Sequence, residues 1–215
     1  MKFKGQINQA FLNLGVLALN ISLFVYLGFP ETTGGLGSRF ALAGFRGVTT
    51  YVANSAASLL SSVSFDDSLT FTIVQQPAGE ENYVSKNKGE VTQFSAASEY
   101  GNIGLLAHNY LSGKSFSQLV PGEEIRLMYD DGTMEYFVVS EILRYQALQP
   151  KSPFSSFQNL QEKDEILSAQ QVFERVYAGK RHITFQTCIA AQGVSSWGRL
   201  FVLATPKPRQ VGLAP

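Results

Sequence analysis

Cysteine and histidine are scarce in this sequence, and their scarcity narrows the chemistry that the chain can perform. The single cysteine, Cys188, excludes an internal disulfide and any multi-cysteine metal site. The two histidines, His108 and His182, occur without H-E-x-x-H or C-x-x-C spacing, so a zinc site would have to recruit carboxylates. We therefore expect no metal and no cofactor, and Cys188 is either an inert buried thiol or a reactive one.

Charge of one sign is not in excess either. Lysine and arginine total 17, and aspartate and glutamate also total 17, so no surplus of positive charge is available to neutralise a phosphate backbone. We expect no nucleic-acid partner. A chain of 215 residues with 45% hydrophobic content can bury one core, or one core together with a membrane segment. Aromatic residues make up 12% of the chain, which favours a mainly β fold.

The N-terminal region, residues 1–30, has the pattern of a membrane anchor. Lys2 and Lys4 precede an uncharged run from Ala10 to Phe29 of about 20 residues, which is long enough to cross a bilayer. The run ends at Pro30 without a small-x-small cleavage site, which favours an uncleaved transmembrane helix. The lysines before the run predict a cytoplasmic N-terminus and an extracytoplasmic remainder, hence a single-pass protein of the cell membrane. Two asparagines within the run leave a buried amphipathic helix as the alternative.

Residues 31–64 are rich in glycine, serine, threonine and alanine and predict a stalk or linker. Inside it, Val52, Ala56 and Leu59 have the spacing of one face of a short helix. Such a helix would pack on the following domain, lie on the membrane surface, or cover a site.

From residue 65 to 206 the sequence changes to short strand-like runs separated by turn residues, and residues 207–215 form a tail. The firmest prediction here is a hairpin in which Glu124 to Tyr129 and Met134 to Leu143 flank a tight Asp-Asp-Gly-Thr turn. Asp164 to Tyr177 has helical periodicity, with Asp164 as N-cap and Gly179 as C-cap. Two further strands are predicted, Arg181 to Ile189 and Arg199 to Thr205.

The cysteine strand and an earlier histidine segment carry a resemblance to a known family. Thr184-Phe185-Gln186-Thr187-Cys188 differs from the T-L-x-T-C motif of sortases only by phenylalanine for leucine. His108 ends the apolar run that starts at Gly104, with Ala107 in place of the glycine that sortases usually have there. Arg199 follows the cysteine by eleven residues, close to the sortase spacing. The sequence therefore resembles sortases from Tyr100 to Thr205, about half of the chain.

This resemblance implies a closed eight-stranded β-barrel with one or two short helices, preceded by the transmembrane helix. It also implies a cysteine transpeptidase that cleaves the sorting-signal peptide of a surface protein and transfers the acyl group to an amine acceptor at the cell surface. Cys188 would be the nucleophile, His108 its partner and Arg199 the cation on the oxyanion side. Thr187, Trp197 and Asn109 flank these residues and are expected to contact the substrate; for Trp197, a packing role is the alternative.

The chemistry of a thiol nucleophile requires the same residue types. A free cysteine is mostly protonated at neutral pH, so nearby positive charge is needed to favour the thiolate. His108 as an imidazolium and Arg199 as a permanent cation would supply that charge; His108 would then protonate the leaving amine, and Arg199 would stabilise the carbonyl oxygen. We expect Cys188 at the end of one strand to face Arg199 at the start of the next, across a connection from Ala190 to Gly198.

Three alternatives stay open at this point. A cysteine peptidase would use the same residues and resolve the acyl-enzyme with water. A non-catalytic anchored β-barrel would use Cys188 only as a small buried hydrophobe. Arg199 could also be a surface residue whose aliphatic stem covers apolar neighbours. His182 lies six residues before Cys188 on the same strand, too far away to be its partner.

Overall fold

The computed structural model describes residues 58–66, 68–152 and 154–208. In chain order, its strands are β1 Leu60–Phe65, β2 Leu69–Gln75, β3 Glu90–Phe94, β4 Ile103–Leu106, β5 Glu124–Tyr129, β6 Met134–Ala147, β7 Phe157–Asn159, β8 Ile166–Leu167, β9 Ile183–Ala191 and β10 Val194–Pro206. Its helices are α1 Ser95–Ser98, α2 Gly113–Phe116 and α3 Ala169–Tyr177. The predicted anchor, most of the predicted stalk and the end of the tail lie outside these residues. Within them, no helix is long and apolar enough to cross a membrane.

Eight strands form a closed barrel. They are hydrogen-bonded in the order β10, β9, β4, β3, β2, β1, β5, β6, and β6 pairs in turn with β10, which closes the ring. The short strands β7 and β8 extend outward from β6. This architecture confirms the predicted mainly-β closed barrel of eight strands. The described residues hold three helices, one more than predicted.

Most neighbouring strands are antiparallel, but two pairs are parallel. β2 pairs with β3 in parallel, and β4 pairs with β9 in parallel. A parallel pair needs a long crossover because the chain must return to the same edge before it can pair again. Residues 107–182 make the crossover between β4 and β9, and this separation explains how a histidine and a cysteine far apart in sequence lie on adjacent strands.

The barrel interior is filled by apolar side chains, with aromatic rings at its centre. The rings of Phe65, Phe71, Phe116 and Phe185 meet at centroid separations between 5.1 and 6.0 Å. Phe116 comes from α2, so this short helix contributes a fully buried ring to the barrel interior. Each such aromatic pair contributes about 0.5–1.5 kcal/mol beyond the burial of its surface.

A second core lies on the outer face of the same sheet, beneath α3. The helix buries Val172, Phe173, Val176 and Tyr177, and the rings of Phe173 and Tyr177 contact Phe94 from β3. The hydroxyl of Tyr177 donates to the side chain of Gln186 on β9 at 2.6 Å. The cysteine strand is therefore covered on both faces, by the barrel interior on one side and by α3 on the other.

The barrel begins earlier than the sequence predicted. Strand β1 starts at Leu60, within the segment assigned to the stalk, and Leu59 and Leu60 do not continue a helix. Serine is also common in linkers, and for this reason the strand was not predicted from the sequence. In the barrel two of its hydroxyls are hydrogen-bonded: Ser61 donates to the Met128 carbonyl, and Ser64 shares a hydrogen bond with Thr70.

Helix α3 begins later than predicted. The helix starts at Ala169, not near Asp164, because the Ser168 side chain accepts from the Gln171 backbone N–H while the Gln171 side chain accepts from the Ser168 backbone. This reciprocal capping box fixes the first turn. The preceding Ile166 and Leu167 pair with β7 as strand β8. Gly179, predicted to end the helix, follows the C-cap Ala178 with φ of +101°.

The hairpin that joins β9 to β10 is tighter than predicted. Gln192 and Gly193 form its turn, both with positive φ (52° and 75°), as two-residue hairpin turns require. The expected connection from Ala190 to Gly198 is therefore wrong, because most of it belongs to the two strands. Cys188 and Arg199 lie inside their strands rather than at strand ends.

Candidate active site

The register of three adjacent strands brings His108, Cys188 and Arg199 into one row. Arg199 on β10 is directly paired with Cys188 on β9. On the other side of β9, Leu106 is paired with Gln186, and the Ala107 N–H continues the parallel ladder by donating to the Gln186 carbonyl at 3.2 Å. His108 follows the end of β4 by two residues, and extending this register by two residues sets it level with Cys188. Neighbouring strands are about 4.8 Å apart, so Cys188 and Arg199 are lateral neighbours, with His108 on the other side of Cys188.

Strand alternation places the three residues on one face of the sheet. Side chains two residues apart point to the same side. Cys188 therefore shares a face with Gln186, which contacts Tyr177 of α3, whereas Phe185, the residue before Gln186, fills the barrel interior. Cys188 packs against the outer core. Leu106 and Phe201, which are two residues from His108 and Arg199 respectively, belong to the same core. The row therefore lies on the outer face of the barrel.

The imidazole of His108 is oriented by a backbone carbonyl. The carbonyl of Val84, in the crossover between β2 and β3, accepts a hydrogen bond from the ring, whereas Nε2 is buried and has no hydrogen-bond partner. Nδ1 is therefore the donor, and this bond fixes the tautomer that leaves the lone pair of Nε2 available. The sequence offered no acidic residue for this role, and Val84 supplies it without a side-chain functional group.

Burial keeps His108 neutral. Desolvation lowers the pKa of His108 below its ordinary value of 6.5, and the positive charge of Lys86 lowers it further, while the Val84 hydrogen bond opposes both. At neutral pH the imidazole is therefore mostly unprotonated. This differs from the expectation of an imidazolium in the resting protein, because the sequence did not reveal how much water the site excludes.

The thiol of Cys188 is also neutral in the resting state. Burial raises the pKa of the Cys188 thiol above its ordinary value of 9.0, and Arg199 opposes this shift through its positive charge. A neutral thiol thus lies beside a neutral imidazole. Nε2 of His108 makes no hydrogen bond to Sγ of Cys188, so proton transfer between them requires the two side chains to approach when a substrate carbonyl arrives. Arg199 already favours the negative charge that would develop.

Arg199 is a buried cation, which excludes the surface alternative. It is only 2% exposed, and its Nη1 donates to the carbonyls of Ser196 at 3.1 Å and Gly198 at 2.9 Å. Its guanidinium carbon lies 6.0 Å from the centroid of the Phe157 ring on β7. Burial lowers the pKa of Arg199, and the neighbouring Cys188 opposes this shift. A guanidinium nevertheless stays protonated in proteins, so the site holds a permanent positive charge.

Thr187 lies in a different place from the one expected. It is 2% exposed, and its hydroxyl donates to the carbonyl of Ala107 at 2.8 Å. Together with the Gly113 N–H, which donates to the His108 carbonyl at 3.1 Å, this bond holds the backbone on both sides of the histidine. Thr187 therefore links β9 to the His108 segment, and its hydroxyl does not face an open groove.

Asn109 and Trp197 lie at the edge of the row. The Asn109 amide donates to the Ser195 carbonyl at 3.1 Å and so joins the His108 segment to the start of β10. Trp197 is half-buried and belongs to β10, in the stretch between Val194 and Gly198 where the pairing with β9 shifts register; the expectation that it lies in a loop is wrong. Asn109 is adjacent to His108 in the chain, and Trp197 is two residues before Arg199 on the same strand.

The sequence analysis missed Tyr110, which stacks on the histidine. Its ring is 5.2 Å from the His108 ring, centroid to centroid, with an angle of 18° between the planes. Tyr110 is nevertheless 68% exposed. Its position two residues after His108 was the available signal, because a turn immediately after the strand can fold a side chain back over the strand end.

His182 has a structural role. It is 6% exposed, and its two ring nitrogens lie 2.7 Å from the Lys180 carbonyl and 2.8 Å from the Val176 carbonyl at the end of α3. Both nitrogens are therefore occupied, as expected for a histidine that is not the partner of Cys188. Across residues 58–66, 68–152 and 154–208, no group of three histidine, cysteine or acidic side chains could hold a metal ion.

Comparison with known proteins gives similar solved structures only. No family model and no curated protein matches the sequence. A lid mutant of Streptococcus agalactiae sortase C1 is similar with a TM-score of 0.45 and 16% identity, covering 68% of each chain. Streptococcus suis sortase C1 has a TM-score of 0.47 and 13% identity, covering 73% of this chain and 77% of its own. Sortase C from Clostridium perfringens SM101 has a TM-score of 0.42 and 13% identity, covering 71% of each chain. All three carry the name of the family that the sequence resembles.

Replacing Gly113 should disturb the His108 segment. A Cβ atom at this position would meet the Thr187 hydroxyl at 2.3 Å and the His108 carbonyl oxygen at 2.7 Å, and neither neighbour can move without breaking the bonds described above. We expect Gly113→Ala to lower the free energy of unfolding by about 1–3 kcal/mol, as for other overpacked sites. Denaturant unfolding measures this loss. Exposed Lys114→Ala is the control, and an equal, small effect of both substitutions would contradict the packing described here.

Proposed function

We propose that this protein is a cysteine transpeptidase of the sortase type, with Cys188 as nucleophile, His108 as general base and acid, and Arg199 as the oxyanion-side cation. The observation that supports it most strongly is the pairing of Cys188 with Arg199 on β9 and β10, with His108 just beyond the end of β4 on the other side of β9. The unpartnered Nε2 of His108 adds to it, because a buried ring nitrogen without a partner is costly unless it serves a reaction.

The first half of the reaction would form a thioacyl intermediate. Nε2 of His108 takes the thiol proton while Sγ of Cys188 attacks the scissile carbonyl carbon, and a C–S bond forms. The carbonyl oxygen becomes an oxyanion, which the Arg199 guanidinium stabilises. The oxyanion then collapses, the C–N bond breaks, and the leaving amine receives the proton held by His108. Each group thus has one place in the reaction, and no cofactor is required.

The second half would transfer the acyl group to an amine acceptor. An amine loses a proton to Nε2 of His108 as its nitrogen attacks the thioester carbon; a C–N bond forms and the C–S bond breaks. His108 returns the proton to Cys188, so the resting neutral pair is restored. Water in place of the amine would give a peptidase, which uses the same residues and differs only in its product.

The proposed setting follows from the sequence. The donor would be the sorting-signal peptide of a surface protein, and the acceptor an amine at the cell surface. Residues 1–30 would form a single-pass anchor with the catalytic barrel on the extracytoplasmic side, as their charge pattern predicts. Asn109 and Trp197, at the edge of the row, would contact the substrate, and Thr187 would act through the backbone that it holds.

Removal of the nucleophile or of its partner should abolish turnover without unfolding the protein. With the 4-nitrophenyl ester of an N-acetylated glycine as acyl donor, we expect intact-mass analysis to show one acyl group on the wild-type chain and none on Cys188→Ala. His108→Ala should slow acylation by about 10²–10⁴-fold, the usual contribution of a general base.

His182→Gln is the matched control, because the ring nitrogens of this histidine lie within hydrogen-bond distance of two backbone carbonyls and are not in the row. It should lower the melting temperature and leave the acylation rate of the folded protein within about threefold of wild type. Rapid acylation of Cys188→Ala, or an unchanged rate in His108→Ala, would refute the assigned roles.

The pH dependence of acylation should follow the protonation of His108. The rate requires an unprotonated His108, whose pKa lies below 6.5. Deprotonation of Cys188, whose pKa lies above 9.0, does not slow attack because the thiolate is the nucleophile. We expect the rate to rise through an acid limb and not to fall at alkaline pH. Lys86 lowers the pKa of His108, so Lys86→Gln should raise it and move the acid limb to higher pH. Stopped-flow acylation rates from pH 4.5 to about 10, with Cys188→Ala as blank, measure this profile. An acid limb that moves to lower pH in Lys86→Gln contradicts this electrostatic picture.

A further inference from the structure

The turn after β4 holds an aromatic side chain over the histidine of the candidate site. The N–H groups of Leu111 and Gly113 both donate to the His108 carbonyl, at 3.0 and 3.1 Å, so residues 108–113 form a tight turn with Tyr110 at its tip. The Asn109 amide bond to the Ser195 carbonyl fixes the same turn to β10. Tyr110 is therefore held in place by the backbone on both sides.

One face of the Tyr110 ring contacts the imidazole and the rest of the ring is in solvent. The stacking distance of 5.2 Å and the angle of 18° show a parallel arrangement. A tyrosine that is 68% exposed gains little stability from burial. Folding of the barrel alone therefore gives no reason for an aromatic ring at this position, and the contact with His108 points to a role in the chemistry.

We propose that Tyr110 is the docking face for a cationic amine acceptor, the second substrate; this inference rests on the proposed transpeptidase function. An aliphatic amine is an ammonium ion at neutral pH, and it must lose a proton to His108 before it can attack the thioester. The face of a tyrosine ring attracts an ammonium ion within about 6 Å of its centroid. Because one ring face is stacked on His108, the ammonium would bind the opposite face, which is open to solvent, and would be held at the entrance to the site from which it reaches the base.

The chemistry of the step is balanced by the groups already described. The ammonium gives one proton to Nε2 of His108, its nitrogen forms a C–N bond to the acyl carbon, and the C–S bond to Cys188 breaks. The attacking nitrogen releases its remaining excess proton to solvent water, and the thiolate takes up the proton held by His108. No oxidant or further reactant is needed. Tyr110 takes no part in bond making; it raises the local concentration of the cationic acceptor and so favours transfer over hydrolysis.

The test uses the partition of the acyl-enzyme between nucleophiles. The full chain is acylated with the same nitrophenyl ester, and the products are measured with 1,5-diaminopentane, which is cationic, with hydroxylamine, which is uncharged at neutral pH, or with water alone. For Tyr110→Ala we expect the ratio of diamine transfer to hydrolysis to fall by about 2- to 30-fold, the range of a cation–π contact. The ratio of hydroxylamine transfer to hydrolysis should stay unchanged, because a change in the reactivity of His108 affects both products and cancels in the ratio.

Two further variants make the result specific. Tyr110→Phe keeps the aromatic face and should keep most of the diamine transfer. Tyr136→Ala removes another partly exposed tyrosine. Tyr136 lies on β6 next to Phe137, at the end of the β6–β10 ladder far from Arg199, so its replacement should leave the ratio of diamine transfer to hydrolysis unchanged. An unchanged ratio in Tyr110→Ala overturns the proposal, as does an equal loss with diamine and hydroxylamine, which would show that the ring only covers His108. If the wild-type chain forms no acyl-enzyme at Cys188, the proposed function itself fails, and this inference fails with it.

Discussion

The parallel pairing of β4 with β9, next to the antiparallel pairing of β9 with β10, is the constraint on which the candidate site depends. These two registers bring the end of β4, which leads to His108, next to the β9–β10 hairpin that carries Cys188 and Arg199. The Thr187 hydroxyl bond to the Ala107 carbonyl reinforces the parallel pair just before the histidine. Because the barrel is closed, none of these strands can slide without disturbing pairs around the whole ring. The geometry of the row is therefore a property of the fold rather than of one flexible loop.

Burial of this row has two opposing electrostatic effects. Exclusion of water raises the pKa of the Cys188 thiol and lowers that of His108, which favours the neutral pair. The same exclusion strengthens the field of the buried Arg199, because charges interact more strongly where the effective dielectric constant is low. Burial therefore favours a protonated thiol next to a permanent cation. In the proposed reaction, Arg199 would stabilise negative charge on sulfur or on a carbonyl oxygen once a substrate brings the reacting carbon into the row.

The sequence predicted the parts of the structure that local patterns determine. The hairpin of β5 and β6 has its predicted bounds at the turn, because alternating side chains and an Asp-Asp-Gly-Thr turn specify both strands. The predicted start of α3 was wrong, because the capping box at Ser168, four residues after Asp164, was not recognised in the sequence. Val84 could not be predicted as the residue that orients His108, because a backbone carbonyl carries no sequence signal. The protonation states were also beyond prediction, since they depend on how deeply the tertiary fold buries each group.

The role of Arg199 gives the most direct test of the proposed row. Alkylation of Cys188 by iodoacetamide develops no oxyanion, whereas acylation by a nitrophenyl ester does, so the two reactions separate thiol activation from oxyanion stabilisation. Arg199→Lys keeps a positive charge but loses the planar guanidinium. The account predicts that this variant slows acylation by about 10²–10³-fold and alkylation far less, in protein whose melting temperature shows that it is folded. Equal rates of acylation in the variant and in wild type would contradict the assignment of Arg199 and, with it, the transpeptidase mechanism.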